Sequence, residues 1–150
     1  MILITRPKDQ SRNLKSNLEK KGYDIFQEGF YKIQYLKQQA SHDPNTYYIF
    51  SSIHSVISLK KNNQILKFRN LNILVIGQQV KKLLKEYGCK NFEIITPDST
   101  SMLKIISSAK YRKKNYTYLC SNIINDEFFN EVHKKKINIR KEVVYKTIGI

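Results

Sequence analysis

The chain has 150 residues, about the length of a single domain, and 41% of them are hydrophobic, which is enough for a packed core. Its 5 glycines and 3 prolines are too few for a collagen-like or a Pro/Gly-rich disordered chain. Twenty-seven Lys and Arg against 12 Asp and Glu give a net charge of +15, so an acidic partner has to be considered. However, 22 of the 27 are Lys and accompany many Ile, Asn and Tyr. An A+T-rich genome also produces that mixture, so the charge alone identifies no function.

The cysteines and the apolar runs indicate a soluble cytoplasmic protein. Cys89 and Cys120 lie far apart and show no CxxC or His/Cys spacing of a metal site. The N-terminal segment has too few consecutive apolar residues for a signal peptide. The apolar run at 73–76 is far shorter than the ~20 apolar residues that a membrane-spanning helix needs. We therefore expect reduced thiols, no metal and no membrane association.

The first third of the chain predicts a strand, a helix and two extended segments. Residues 2–4 form an apolar β-like run, and residues 8–21 are predicted as a helix in which Leu14 and Leu18 share one face. Gly22 supplies the stop of that helix. The segments 23–26 and 30–36 are predicted as extended, and the polar segment 37–46 as a loop.

The remainder predicts alternating strands and helices. Residues 47–50 are predicted as a buried strand, with Ser51 and Ser52 as natural N-caps of the next helix. The later strands are predicted at 73–76, 92–95, 116–119 and 139–148, the helices at 78–87, after a cap at 97–101, and at 125–135, with 64–72 as a loop and 120–122 as a turn. This strict alternation predicts an α/β fold, a parallel sheet flanked by helices on both faces.

Ligands of such sheets bind at the carboxyl ends of the strands, where turns expose backbone N–H groups and helix N-termini. The predicted turns are rich in small hydroxyl and amide side chains, carry one Arg and contain no Asp/Glu pair. That composition suits a ligand bearing carboxylates or phosphates better than a metal ion. The turns are residues 5–7, 50–52, 77–79, 96–101 and 120–122.

Several function classes lack their motifs. Neither GxGxxG nor GxxxxGK[ST] is present, which excludes a dinucleotide fingerprint and a P-loop. A Ser-His-Asp site is disfavoured because His54, two residues after Ser52, is expected to cap its helix or face solvent. The basic runs at 110–114 and 134–136 are interpreted as solvated helix ends without aromatic interleaving, so nucleic acid is a disfavoured partner.

Taken in order, several segments resemble the uroporphyrinogen-III synthase family. They are "ILITRP" at 2–7, "YYIFSSIHSV" at 47–56, "ILVIGQQVKKLLKEYG" at 73–88, "PDSTSMLKII" at 97–106 and "VVYKT" at 143–147. The resemblance covers almost the whole chain through their order and spacing. It implies a cytoplasmic, cofactor-free and usually monomeric enzyme that closes hydroxymethylbilane, a linear tetrapyrrole with eight carboxylates, to uroporphyrinogen III with inversion of the last ring.

The resemblance also assigns roles to individual residues. Tyr145 matches the tyrosine that is the usual candidate for helping the hydroxyl of the substrate to leave. Residues matching substrate-binding positions of the family or lying in the matching turns are Arg6, Ser52, Gly77, Gln78, Thr100, Ser101 and Ser121. A basic protein is expected to suit a substrate with many negative charges.

The domain organisation implied by the resemblance is incomplete in this chain. Family members have two similar domains joined by a two-stranded linker. We expect residues 1–22 to be the first strand and helix of an otherwise missing domain, 23–36 and 141–150 to be linker strands, and 37–140 to be a complete domain. On this interpretation the chain is a fragment or an inactive truncated product, or it dimerises or swaps to cover the exposed strand edge.

Two alternatives stay open. The same fold pattern fits a non-catalytic, flavodoxin-like module that binds anions or another molecule at its strand ends. The less favoured alternative is a basic protein associated with nucleic acid.

Overall fold

The computed structural model describes all 150 residues and divides them into two compact units. The small unit consists of residues 1–34 and 147–150, and the large unit of residues 35–146. Two strands, β3 (Tyr31–Tyr35) and β8 (Asn138–Gly149), run from one unit into the other. The assignment of residues 1–22 to a larger domain stays a prediction.

The small unit contains two short parallel strands and one helix. They are β1 (Ile2–Ile4), α1 (Lys8–Lys20) and β2 (Ile25–Gln27). Gly22 follows the helix with φ +83°, as its stop role requires. The strand predicted at 23–26 begins only at Ile25, because the N–H groups of Gly22 and Tyr23 still bond to carbonyls of α1.

The large unit alternates strand and helix. Its elements before β8 are β4 (Thr46–Phe50), α2 (Ile53–Lys61), a 3-10 turn (Ile65–Phe68), β5 (Asn72–Ile76), α3 (Gln78–Glu86), β6 (Phe92–Thr96), α4 (Ser99–Ile106), β7 (Asn115–Ser121) and α5 (Asp126–Lys134). The strand order is β3-β8-β7-β4-β5-β6, and every pair from β8 to β6 is parallel. The predicted α/β class is confirmed. The edge strand β3 is the exception: the N–H of Leu36 bonds to the C=O of Val144 and that of Ile150 to Phe30, so β3 runs antiparallel to β8.

Helices cover both faces of this sheet because successive strand residues are apolar. Ile49 of β4 packs with Met102 of α4 and Phe129 of α5 on one face. On the other face Tyr48 and Phe50 contact the ring of Phe68, with ring centroids 5.1 and 5.9 Å apart. Burial of apolar side chains on both faces is what a parallel sheet requires.

The parallel strands define two ends of the large unit. We call the end where β4, β5, β6 and β7 finish the carboxyl edge, and the end where β4 to β8 begin the amino edge. The connections at the carboxyl edge are residues 51–52, 77, 97–98 and 122–125, and those that follow the helices at the amino edge are 62–71, 87–91, 107–114 and 135–137. Cys120 and Ser121, predicted in a turn, lie in β7 because their pairing with β8 continues through a local irregularity.

Candidate active site at the carboxyl edge

Ser52 is fixed at the point where β4 gives way to α2. Its backbone is extended, and its hydroxyl oxygen accepts a hydrogen bond from the N–H of His54 at 3.1 Å. Its carbonyl accepts the hydroxyl of Ser55 at 2.6 Å. The predicted N-cap is therefore confirmed, and the cap holds the Ser52 side chain at the carboxyl edge.

Tyr145 meets Ser52 from another strand. It lies on β8 opposite Ser121 of β7, is only 8% exposed, and makes a side-chain hydrogen bond with Ser52. Burial raises the pKa of the Tyr145 hydroxyl, the hydrogen bond from Ser52 lowers it, and Cys120 raises it, with a net increase. Tyr145 is therefore a neutral phenol at pH 7, able to donate a hydrogen bond.

A second serine–tyrosine pair lies beside the first. Ser51 makes a side-chain hydrogen bond with Tyr118 of β7, and burial raises the pKa of Tyr118 as well. Cys120 also lies here, and burial raises the pKa of its thiol to about 11, although the backbone of Glu142 and the charge of Lys141 oppose this. The side chains of Tyr145, Tyr118 and Cys120 are consequently uncharged at neutral pH.

These groups line a small pocket of about 140 Å³. Its wall is apolar on one side, where Phe129 contributes, and polar on the other. The Nζ atom of Lys141 lies 4.6 Å from the ring centroid of Phe129, which makes Lys141 a cation next to the pocket. The lining residues are Ser51, Tyr118, Cys120, Ser121, Ile123, Ile124, Asn125, Phe129 and Tyr145.

His54 is placed differently from its predicted role. Its backbone N–H takes part in the helix cap, but its imidazole packs against Tyr145, with ring centroids 5.4 Å apart. Its Nδ1 shares a hydrogen bond with the hydroxyl of Tyr35 at 3.0 Å. The interpretation of His54 as a solvent-facing side chain is therefore wrong, because the ring fills space between two tyrosines.

Gly77 and Gln78 lie at the end of β5. Gly77 has φ +96°, a conformation that favours glycine, and its N–H donates to the carbonyl of Thr96 at 2.8 Å. That N–H is thus engaged within the protein, although nothing within 4 Å fills the space beside the Gly77 Cα. Gln78 is exposed at the first position of α3. Their binding roles stay predictions.

Thr100 and Ser101 lie in the first turn of α4, which is capped by Asp98. The carboxylate of Asp98 accepts the N–H of Ser101 at 2.7 Å and is also bonded by the backbone of Thr100. These hydrogen bonds hold the pKa of Asp98 below its usual range. The turn therefore supplies its own anion, and Thr100 lines a separate depression with Asn125 and Glu127.

The structure brings three of the predicted site residues together, Tyr145, Ser52 and Ser121. Arg6 is exposed and belongs to the small unit, and the remaining residues follow β5 and β6. Sequence reasoning missed Ser51, Tyr118, His54 and Lys141. Of these four residues, Ser51 is the easiest to predict from the sequence, since it directly precedes a predicted cap. The other three owe their positions to contacts with residues distant in sequence.

The positive charge of the chain is not concentrated at this edge. The four connections of the carboxyl edge contain no Lys or Arg, and they contain one carboxylate, Asp98. The first turn of α5 adds Asp126 and Glu127. These connections therefore carry no positive charge of their own, and anion binding here would depend on neutral donors and on Lys141.

Comparison with known proteins identifies the family of the chain. The family model described as uroporphyrinogen-III synthase HemD matches residues 12–149. A sequence search finds no significant match among curated proteins. None of the helices has the length and apolar character needed to cross a membrane.

Solved structures of similar fold carry the same description. The uroporphyrinogen-III synthetase of Helicobacter pylori shares 17% identity, with a TM-score of 0.61 over 85% of this chain and 57% of that one. A mutant uroporphyrinogen III synthase of Thermus thermophilus gives a TM-score of 0.64 at 9% identity, over 99% of this chain and 62% of that one. The wild-type enzyme from the same organism gives 0.58 at 12%, with the same coverage. The chain thus spans about three fifths of the length of these structures.

Proposed function

This chain belongs to the uroporphyrinogen-III synthase family, and on that premise we propose that it takes part in closing hydroxymethylbilane to uroporphyrinogen III in tetrapyrrole and haem biosynthesis. The reaction is a proposal for this chain because it spans 57% to 62% of the similar structures. We also propose a cytoplasmic location, which suits two buried, free cysteines.

The observation that carries this proposal is the Ser52–Tyr145 hydrogen bond beside the pocket. Closure begins when the carbon–oxygen bond of the substrate hydroxymethyl group breaks, leaving an azafulvene cation while the hydroxyl departs as water. The neutral phenol of Tyr145 gives that oxygen the proton that turns it into water, and Ser52 donates a hydrogen bond to the Tyr145 oxygen as it acquires negative charge. The phenolate recovers a proton from the pyrrole carbon at which the ring closes. Burial raises the pKa of Tyr145, so the phenol is neutral before the reaction, and the hydrogen bond from Ser52 partly offsets the acidity that burial removes.

The substrate carboxylates would be held by the surrounding donors. Lys141 supplies the positive charge next to the pocket, and the hydroxyl of Ser51 supplies a neutral donor that needs no counterion. The hydroxyl of Ser121 donates to Asn122 Oδ1 at 2.9 Å, so it would contact a carboxylate only after exchanging that bond. Gln78 and Arg6 stay candidates for further carboxylate contacts. Neutral donors in a buried site bind an anion with little desolvation cost of their own.

The test is a coupled closure assay that separates uroporphyrinogen III from uroporphyrinogen I, the spontaneous product. We expect the chain to form the III isomer and Tyr145→Phe to lower the rate about 100-fold, as loss of an acid catalyst does. Tyr87→Phe is the matched control, since Tyr87 lies at the end of α3 and its loss of a hydroxyl should leave the rate unchanged.

A different outcome would favour the second candidate, a non-catalytic anion-binding module. The observation that favours it is that the chain spans only 57% to 62% of the similar structures, yet its large unit keeps the pocket at the carboxyl edge. Closure no faster than the spontaneous reaction, together with tight binding of uroporphyrin, would establish that module and refute the enzyme.

A further inference from the structure

The amino edge of the large unit carries a row of unpaired cations. The four connections that follow the helices contain nine basic residues and no acidic residue, and all nine are exposed. None of them belongs to an ion pair, since the ion pairs are Lys15–Glu19, Lys134–Glu131 and Arg140–Glu142. The nine are Lys67, Arg69, Lys90, Lys110, Arg112, Lys113, Lys114, Lys135 and Lys136.

Lysine-rich composition does not account for this row. The connections at the carboxyl edge of the same sheet contain no Lys or Arg at all. Helix dipoles favour cations at helix C-termini, which accounts for Lys135 at the C-cap of α5 but not for residues farther from a helix end, such as Lys90 and Arg112. Three carboxylates lie near these connections: Glu93, whose charge acts on Lys110, Glu131, which interacts with Lys135, and Asp43 in one of the depressions. The nine cations outnumber them, so the edge keeps an excess of positive charge that suits an anion outside the chain.

A ladder of amide side chains lies within this row. One asparagine starts, or directly precedes, each of the five parallel strands, and the strands are about 4.8 Å apart, so the ladder extends over roughly 20 Å. Two of its members are joined, since Asn138 Nδ2 donates to Asn115 Oδ1 at 2.8 Å. Open depressions of about 390 and 410 Å³ lie along the ladder. Its members are Asn45, Asn72, Asn91, Asn115 and Asn138.

Tyrosine rings interleave with the cations. The ring centroid of Tyr47 lies 6.3 Å from that of Tyr111 and 5.8 Å from that of Tyr116. Lys114 Nζ lies 5.8 Å from the Tyr47 centroid, and Lys110 Nζ lies 4.9 Å from that of Tyr111. The fold thus places aromatic rings from residues far apart in sequence beside the basic runs, with Tyr47 and Tyr111 half-buried and Tyr116 buried.

We propose that the amino edge binds single-stranded nucleic acid, with the cations on phosphates and the asparagine ladder on base edges. Amide side chains both donate and accept hydrogen bonds, as the edges of nucleic-acid bases do. A polyanion of phosphate alone offers acceptors only. A duplex groove requires a protruding helix or ribbon, and these loops offer neither. A lipid surface would require several exposed apolar side chains, whereas Leu66 is the one large exposed apolar side chain of these connections.

The experiment measures binding of a fluorescein-labelled single-stranded RNA of about 15 nucleotides by anisotropy over a range of salt concentrations. The edge variant is Lys90→Gln/Arg112→Gln/Lys113→Gln, and the matched control is Lys8→Gln/Lys82→Gln/Lys146→Gln. The control removes the same charge from exposed positions at the start of α1, in the middle of α3 and directly after Tyr145 on β8. We expect the edge variant to bind at least ten-fold more weakly, with a salt slope smaller by about 2, as three lost phosphate contacts imply.

A further variant, Asn91→Ala/Asn115→Ala, separates nucleic acid from other polyanions. It should weaken RNA binding several-fold and leave binding of inorganic polyphosphate unchanged. Equal losses in the edge variant and the control would overturn the proposal, because binding would then follow net charge alone. Binding of polyphosphate or polyglutamate as tight as that of RNA would also overturn it, in favour of a general polyanion surface. None of these readouts depends on tetrapyrrole closure.

Discussion

The two edges of the large unit use opposite physical means to present a surface to a ligand. At the carboxyl edge, buried hydroxyls such as those of Tyr145 and Tyr118 are paired with serines, and burial keeps them neutral. At the amino edge, exposed cations such as Arg112 and Lys113 stand in water without ion pairs. The first arrangement depends on exact hydrogen-bond geometry, and the second on long-range charge.

The two edges therefore suit different tasks, catalysis at the carboxyl edge and electrostatic attraction of a ligand at the amino edge. A hydrogen bond in a low-dielectric pocket is strong and directional, so it can act on one reacting atom. Exposed charges act over distances limited by salt, with a screening length of about 8 Å at physiological ionic strength. We therefore expect substitutions at the carboxyl edge to change rates and pKa values, and substitutions at the amino edge to change affinity and its salt dependence.

Among variants that keep the Tyr145 phenol, the largest effect should come from Ser52→Ala, which removes a hydrogen bond at the carboxyl edge. It removes the donor to Tyr145, so we expect closure to slow about 30-fold and the pKa of Tyr145 to rise further. Loss of the cap should also lower the free energy of unfolding by about 1 kcal/mol. Rates come from the closure assay and the pKa from ultraviolet titration of the phenol, with Tyr145→Phe as the spectroscopic reference.

The control for the cap is Asp98→Ala. It removes the equivalent cap of α4, where Asp98 accepts the N–H of Ser101, but it does not touch Tyr145. We expect a comparable loss of stability and no loss of rate. If both variants slowed closure equally, the effect of Ser52 would come from stability and not from its hydrogen bond to the phenol.

The next prediction compares the buried cysteines of the two edges, Cys120 at the carboxyl edge and Cys89 at the amino edge. Burial raises the pKa of Cys120 from 9.0 to about 11, so the folded chain keeps this proton while the unfolded chain loses it. Stability from Cys120 is fully present below pH 9 and is lost as the pH rises towards 11, by up to about 2 kcal/mol. Cys120→Ser should flatten the fall in unfolding free energy between pH 9 and pH 11, measured by urea denaturation.

Cys89, at the amino edge, is the internal comparison. Burial raises its pKa, but the positive charge of Arg69 opposes the increase. Cys89→Ser should therefore also flatten the fall in unfolding free energy at high pH, in the same direction as Cys120→Ser. An unchanged pH dependence would mean that burial does not desolvate the Cys89 thiol.

The sequence predicted the fold well because the large unit follows simple periodic rules. Each buried strand reads as a short apolar run, and Ser52 and Asn125 supply side-chain caps to the helices that follow. The antiparallel placement of β3 was beyond this reasoning, since a polar, alternating segment does not indicate its partner or its direction. The end of β7 was missed because Cys120 and Ser121 pair with β8, from a distant part of the sequence.

Only those residues of the candidate site that lie in recognisable segments could be predicted from the sequence. Ser52 and Tyr145 are predicted site residues because each lies in a segment resembling the family, and their binding and catalytic roles stay predictions. His54 and Lys141 were missed because their roles come from contacts with Tyr145 and Phe129, which no local pattern encodes. The nine cations of the amino edge were visible only as separate runs until the strand order placed their connections side by side.

The smallest effect tests whether charge matters at the carboxyl edge at all. Asp98→Asn keeps the cap, because Asn caps helices as well as Asp, and removes one negative charge near the candidate site. For carboxylates on the order of 10 Å away in water, we expect uroporphyrin to bind about two-fold more tightly at low salt, with the gain lost at high salt. Fluorescence titration measures this, and Glu93→Gln, the same charge change near the start of β6, should leave the affinity unchanged. An equal gain from both variants would show that uroporphyrin responds to the net charge of the chain and does not distinguish its two edges.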